Sequence, residues 1–167
     1  PKKEGFQPHY PPPPNAAKSC PTRHYKLGEA SAYWDYLNES GVLLMRVARF
    51  DRTRTNGERA KEYRPCSYGQ NKGYTKWHWL QLPGNRPLYG LETLGQFEGT
   101  APVLLVEGEK AADAARHLFP HQPCMTWSGG SKAIGKTDFK PLAGREVWYW
   151  PDNDDAGVKY QKGLFER

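Results

Sequence analysis

The sequence predicts an α/β fold, a parallel sheet with flanking helices, preceded by a small antiparallel subdomain that is β-rich and basic. Three observations lead there. Val103–Val106 is a short apolar run bounded by Pro102 and Gly108, the pattern of a strand buried on both faces. Residues 110–118 are rich in alanine and set Ala111, Ala114, Ala115 and Leu118 at helical spacing. Residues 32–80 instead carry aromatic-rich, strand-prone runs separated by turn residues. The predicted organisation is a Pro-rich linker over 1–22, the basic β-rich subdomain over 23–99 and the α/β domain over 100–167.

Pro8, Pro11 to Pro14 and Pro21 make residues 1–22 an extended segment of polyproline character. Residues 33–37 and 42–50 read as a hairpin around a 38–41 turn, with Gly41 available for positive φ. On the return strand Leu43, Met45 and Val47 share one face, and Leu44, Arg46, Ala48 and Phe50 the other. Residues 51–61 are polar and charged, with Asn56-Gly57 at the tip, and predict a mobile loop. Residues 62–68 and 74–80 predict two more short strands, the first an edge because of Pro65. Residues 81–87 are a turn, and 88–97 a short helical or mixed connector. In the α/β part, strands are expected at 103–106, 122–127 and 146–150, with helices at 110–118 and about 155–165.

At 167 residues the chain holds one domain, or one with a small satellite. It opens on Pro1 without an initiating Met, which predicts a piece of a longer protein. No apolar run reaches membrane-spanning length and no signal peptide is visible, so a cytoplasmic location without a membrane partner is expected. Cys20, Cys66 and Cys124 form no CxxC pair, which argues against a zinc ribbon or disulfide framework and for free thiols. The net charge of +6 is uneven. Residues 23–100 hold 12 Lys and Arg against 8 Asp and Glu, whereas 101–167 hold 9 of each. The basic excess suits contact with a polyanion. Arg46, Arg49, Arg52, Arg54, Arg64, Lys72 and Lys76 are candidates for a nucleic-acid backbone, with Trp77 and Trp79 stacking on bases. The same tryptophans also suit the core of a small sheet poor in aliphatics.

Glu107 sits at the carboxyl end of the buried 103–106 strand, where open α/β sheets place their ligands. A second strand, 146–150, ends in Pro151-Asp152-Asn153-Asp154-Asp155-Ala156-Gly157. Asp152 and Asp154 are two apart and point the same way in extended backbone. Clustered carboxylates of this kind suit Mg²⁺ or Mn²⁺. Ser128-Gly129-Gly130-Ser131 is a tight loop that lets backbone approach a phosphate, with Lys132 and Lys136 nearby and Lys110 at the start of the first helix. Gly108 and Gly157 let the chain turn sharply beside the acids.

Strand–Glu-Gly–helix followed by strand–Asp-x-Asp-x-x-Gly resembles the Toprim domain. The runs VEGEKAADAA, SGG and PDNDDAG are most similar to those of phage- or plasmid-type DNA primase–helicases, over roughly residues 100–160. The resemblance implies a metal-dependent nucleotidyltransferase that joins ribonucleotides into RNA primers on a single-stranded DNA template. Glu107, Asp152 and Asp154 would be catalytic and metal-binding, and nucleoside triphosphates the substrates. A replicative helicase would lie elsewhere in the parent chain. Two departures stand out. The position four after Glu107 is Ala111, with Asp113 the next acid, and the chain stops at Arg167, where the family's fold usually continues. A Toprim nuclease using the same acids, and a non-catalytic single-strand-binding module, are the alternatives.

Residues 130–137 also satisfy the Walker A pattern. A P-loop must open a long helix, and Pro141 forbids a continuing helix interior so soon after Thr137.

Overall fold

The computed structural model describes residues 5–152, apart from the side chains of Ser131 and Lys132. The fold is mixed α/β and mostly strands; antiparallel pairing dominates, and one α-helix occurs among the described residues. Residues up to 36 with 42–82 form one compact unit, and residues 37–41 with those from 83 onward form another. The division falls at 82/83 rather than at 99/100 because the connector is built into the second unit's sheet.

The first unit contains β1 (Gln7–Pro8), β2 (Arg23–His24), β3 (Gly28–Glu29), β4 (Ala32–Leu37), β5 (Leu43–Thr53), β6 (Arg59–Asn71) and β7 (Tyr74–His78). One sheet runs β1-β6-β5-β4, with β7 also on β6, and β2 pairs β3 separately. The expected loop over 51–61 is instead the end of a long hairpin, in which Asp51 pairs Lys61, Arg52 pairs Ala60 and Thr53 pairs Arg59. Only residues 54–58 turn, with Gly57 at positive φ. Ion pairs Arg52–Glu62 at 3.2 Å and Arg54–Glu58 at 3.3 Å line this arm. Polarity misled here because an exposed two-stranded arm needs no apolar face. Pro65 pairs Val47 on β5, whereas β7 takes up β6 only from Ser67. The missing proline N–H thus falls where β6 is still an edge.

Residues 5–22 are not an extended linker. β1 is hydrogen-bonded into the sheet, Gln7 opposite Gln70 and Pro8 opposite Gly69. Ala16 is buried, and its carbonyl accepts the Trp77 indole N–H at 2.8 Å. This strap covers the Arg46 face of β5, so that all of Leu43–Ala48 is buried. Arg46 sits beneath it, 8 % exposed. Its Nε and Nη2 donate to Asp35 Oδ1 and Oδ2 at 2.6 and 2.9 Å, Nη1 donates to the Cys20 carbonyl at 3.0 Å, and the guanidinium lies 4.1 Å from the Tyr33 ring centroid. Such a buried charge is tolerated only because its donors are matched.

The second unit contains β8 (Leu88–Tyr89), β9 (Val103–Val106), α1 (Glu109–Leu118), β10 (Cys124–Trp127) and β11 (Val147–Trp150). The sheet order is β11-β9-β10-β8. β9 is central and parallel to both β10 and β11, and β8 closes the far edge antiparallel to β10. All four β9 residues are buried, as the apolar run predicts. Leu88, Leu91, Leu94, Val103, Leu105 and Met125 belong to one core cluster, against which Val147 and Tyr149 pack. Residues 131–136 form a 3-10 turn, not the long helix a P-loop requires. The helix expected at about 155–165 lies outside the described residues. No helix among those described is long and apolar enough to cross a membrane.

Two tests of the first unit follow from its buried groups. Asp35→Ala strands the Arg46 guanidinium under the strap and is expected to cost about 2–3 kcal/mol, the low end for a buried pair because a third of the Asp35 side chain stays in water; urea unfolding measures it. His24 is buried against Tyr25, Phe50 and Trp79, and its Nδ1 accepts the Lys26 N–H at 3.1 Å. Burial, and then the charge of Arg64, push its pKa below the ordinary 6.5. Protonation therefore favours the unfolded chain. The His24 contribution is complete above pH 6.5 and is lost as pH falls through the lowered folded-state value. Thermal melts from pH 7.5 to 5 should show this loss, and His24→Asn should flatten it.

Candidate metal and phosphate site

Parallel pairing puts the carboxyl ends of β10, β9 and β11 side by side. Val106 pairs Trp150, so the next residues of the two strands, Glu107 and Pro151-Asp152, leave the sheet together. Glu107 Oε1 accepts the Asp152 backbone N–H at 3.3 Å and the Tyr149 hydroxyl. Glu107 is half-buried and Asp152 exposed. The carboxylate is thereby oriented by one donor from β11 and one from the segment just after it, while the site stays open to solvent. Asp154 and Gly157 lie outside the described residues. Among those described, no group of three or more His, Cys, Asp or Glu converges on a metal position. Among the described residues, the edge brings the Glu107 carboxylate to the Asp152 backbone.

Gly108 makes the turn from β9 into α1 with φ 87° and ψ 150°, a region other residues enter only with strain. Its N–H donates to Thr126 Oγ1 on β10 at 3.0 Å, and its carbonyl accepts the Ala112 N–H at 3.1 Å. The turn is thus fixed from both sides. Lys110 is exposed in the first turn of α1. Beyond β10, Gly129 and Gly130 both have positive φ, and the Gly130 carbonyl accepts the Trp127 indole N–H at 2.9 Å. Lys136 is exposed at the end of the following 3-10 turn, and the Lys132 side chain is outside the described set.

Asp113 does not join the acids at the strand ends. It accepts the Tyr89 hydroxyl at 2.7 Å and pairs with Arg116 at 3.4 Å. Burial, followed by the bond to Asp113, pushes the Tyr89 phenol well above its ordinary range. A cleft of about 830 Å³ opens over Phe139, Leu142, Val147 and Tyr149, with Lys140 and Arg145 as its cations; of its lining, Tyr149 is the residue that also bonds Glu107. Sequence reasoning named neither Tyr149 nor Thr126. The alternation along β11 that turns Val147 and Tyr149 one way was the available signal for the tyrosine.

The expected nucleic-acid set divides. Arg46 and Trp77 are core groups, not surface ones: the first is matched to Asp35 and Cys20, the second is buried with its N–H on Ala16. Trp79 is half-buried, with ring centroids 5.3 Å from His24 and 5.6 Å from Phe50. Arg49 pairs with Asp51 at 2.7 Å, Arg64 with Glu62 at 2.5 Å, and Arg52 and Arg54 with Glu62 and Glu58. The Arg52 and Arg54 pairs are exposed, and pairs of that kind contribute little to stability. Lys72 and Lys76 are exposed, and Lys76 lies 5.4 Å from the ring centroid of Tyr74, which is 67 % exposed.

Residues 20–153 match the family described as Domain of unknown function (DUF6371). No curated protein matches the chain. No solved structure matches it either.

Thr126→Val keeps the side-chain shape but leaves the Gly108 N–H without its acceptor. It should cost about 1 kcal/mol, with Thr126→Ser near wild type, in urea unfolding monitored by tryptophan fluorescence.

Proposed function

The chain belongs to the DUF6371 family, and we propose that it carries a Toprim-like site for metal-dependent nucleotidyl transfer, joining ribonucleotides on single-stranded DNA. The observation that carries this reading is the Val106–Trp150 pairing, which delivers Glu107 and the Asp152 backbone to one another at the carboxyl edge of three parallel strands. Ligands of open α/β sheets bind at that edge.

The residues present fit a magnesium or manganese ion. Glu107 and Asp152 are hard oxygen donors at a solvent-facing edge, and Mg²⁺ is commonly held by one or two carboxylates with water completing its shell. Asp154 belongs to the same proposed set. A dication held there supplies neutralisation of the phosphate charge and orientation for in-line displacement at phosphorus. Tyr149 and the Asp152 N–H fix the Glu107 carboxylate, so that its geometry does not depend on the substrate. Lys110, Lys132 and Lys136, with the backbone at Gly129 and Gly130, meet the triphosphate charge. The cleft beside Tyr149 is of a size that takes a nucleotide. On the first unit, Arg52, Arg54, Lys72, Lys76 and the exposed Tyr74 form the surface for a single strand, by charge and stacking.

Labelled ribonucleotides, a single-stranded DNA template and Mg²⁺ or Mn²⁺ provide the assay. Primer synthesis is expected, and Glu107→Gln or Asp152→Asn should each lower it about 100-fold or more while melting temperature stays near wild type. Cleavage of the strand in place of joining would assign the same acids to a nuclease. Strand binding that needs Arg52, Arg54 and Lys76 but neither acid, with no turnover, would make the chain a binding module and overturn the proposal.

A further inference from the structure

Cys20 and Cys66 lie 46 positions apart in the chain yet gather at one guanidinium beneath the strap, Cys20 through its carbonyl on Arg46 Nη1 at 3.0 Å and Cys66 as the residue opposite Arg46 in the β5–β6 pairing. Both positions are fixed by the surrounding fold. Cys66 is fully buried in β6, directly opposite Arg46 of β5, so the two side chains share a face. Cys20 is held on either side. Its own carbonyl accepts Arg46 Nη1 at 3.0 Å, and four residues earlier the Ala16 carbonyl accepts both the Trp77 N–H at 2.8 Å and the Ser19 hydroxyl at 2.9 Å. Cys20 is half-buried and is the member of the pair that solvent reaches.

We propose that Cys20 and Cys66 form a modification site, a reversible intramolecular disulfide that locks the amino-terminal strap onto the first unit's sheet.

The oxidant is a small disulfide such as glutathione disulfide. The Cys20 thiolate attacks one glutathione sulfur, a Cys20–glutathione bond forms and the first glutathione leaves as its thiolate. Cys66 then gives up its proton to water and attacks the Cys20 sulfur, and the second glutathione leaves. The two cysteines lose two electrons and two protons, and the glutathione disulfide becomes two thiols. The order follows from access: the neighbouring Cys20 side chain and then burial hold Cys66 protonated, above the ordinary thiol range, so it acts second and only at close range. The product closes a long loop between strap and sheet, which restricts the unfolded chain and stabilises the fold. Cys124 takes no part; it is buried in β10 of the second unit, its thiol directed to the Gln122 carbonyl at 3.6 Å.

The test is incubation of the whole chain with glutathione disulfide, followed by thiol counting and peptide mapping by mass spectrometry. Titratable thiols in denaturant should fall from three to one, the linked peptides should contain Cys20 and Cys66, and the thermal midpoint should rise by several degrees and return with dithiothreitol. Cys66→Ser should stop at a single glutathione on Cys20, and Cys124→Ser should leave the reaction unchanged. Three thiols remaining, a stable mixed disulfide on wild-type Cys20, or linkage only to Cys124 or between chains would each overturn the proposal.

Discussion

The parallel register between β9 and β11 is the constraint on which the rest of the second unit's chemistry depends. Val103 opposite Val147, and so on to Val106 opposite Trp150, leaves no freedom in where Glu107 and Asp152 emerge. A one-residue slip would reverse which β11 side chains face the core and would carry the Tyr149 hydroxyl away from Glu107. The register itself is enforced by burial: every β9 side chain is inside, and Val147 and Tyr149 pack on the core around Leu105. Burying that apolar surface therefore does two things at once. It stabilises the sheet, and it brings a carboxylate from one strand to the end of another.

β10 completes this arrangement from the other side. Thr126 holds the Gly108 N–H, so the turn out of β9 is tied to both of its neighbours. The positive-φ glycines at 108, 129 and 130 all fall at this edge, where the chain must turn within one or two residues. The first unit depends on a different device. There the Arg46 guanidinium joins strands and strap, with Asp35 neutralising the charge and the Cys20 carbonyl accepting from Nη1. Trp77 does the same from β7 through Ala16. A small sheet rich in aromatics is covered by folding a proline-rich segment across it and hydrogen-bonding that segment to two buried polar side chains.

Much of the second unit was legible in the sequence because each element carried its own signal. Val103–Val106 is where an apolar run between Pro102 and Gly108 predicts it, and α1 begins within one residue of the expected start. The strap was not legible. Residues 1–22 hold few apolar side chains, and nothing local indicates that Ala16 and Cys20 supply carbonyls to Trp77 and Arg46. The hairpin arm at 51–61 was missed for a similar reason: its strands are held by backbone pairing and exposed ion pairs, which leave no period-2 apolar pattern. Arg46 reads as surface charge from its residue type alone, and only its partner on a neighbouring strand makes it a core residue. At the site, the acids were visible as residues at strand ends, whereas Tyr149 became part of it through a long-range contact to Glu107.

Manganese binding followed by electron paramagnetic resonance reads the acidic edge without requiring turnover or template. Saturable Mn²⁺ binding to the folded chain is expected, lost in both Glu107→Gln and Asp152→Asn, with magnesium competing. Binding that survives both substitutions, or no saturable binding at millimolar metal, would contradict the proposed metal site.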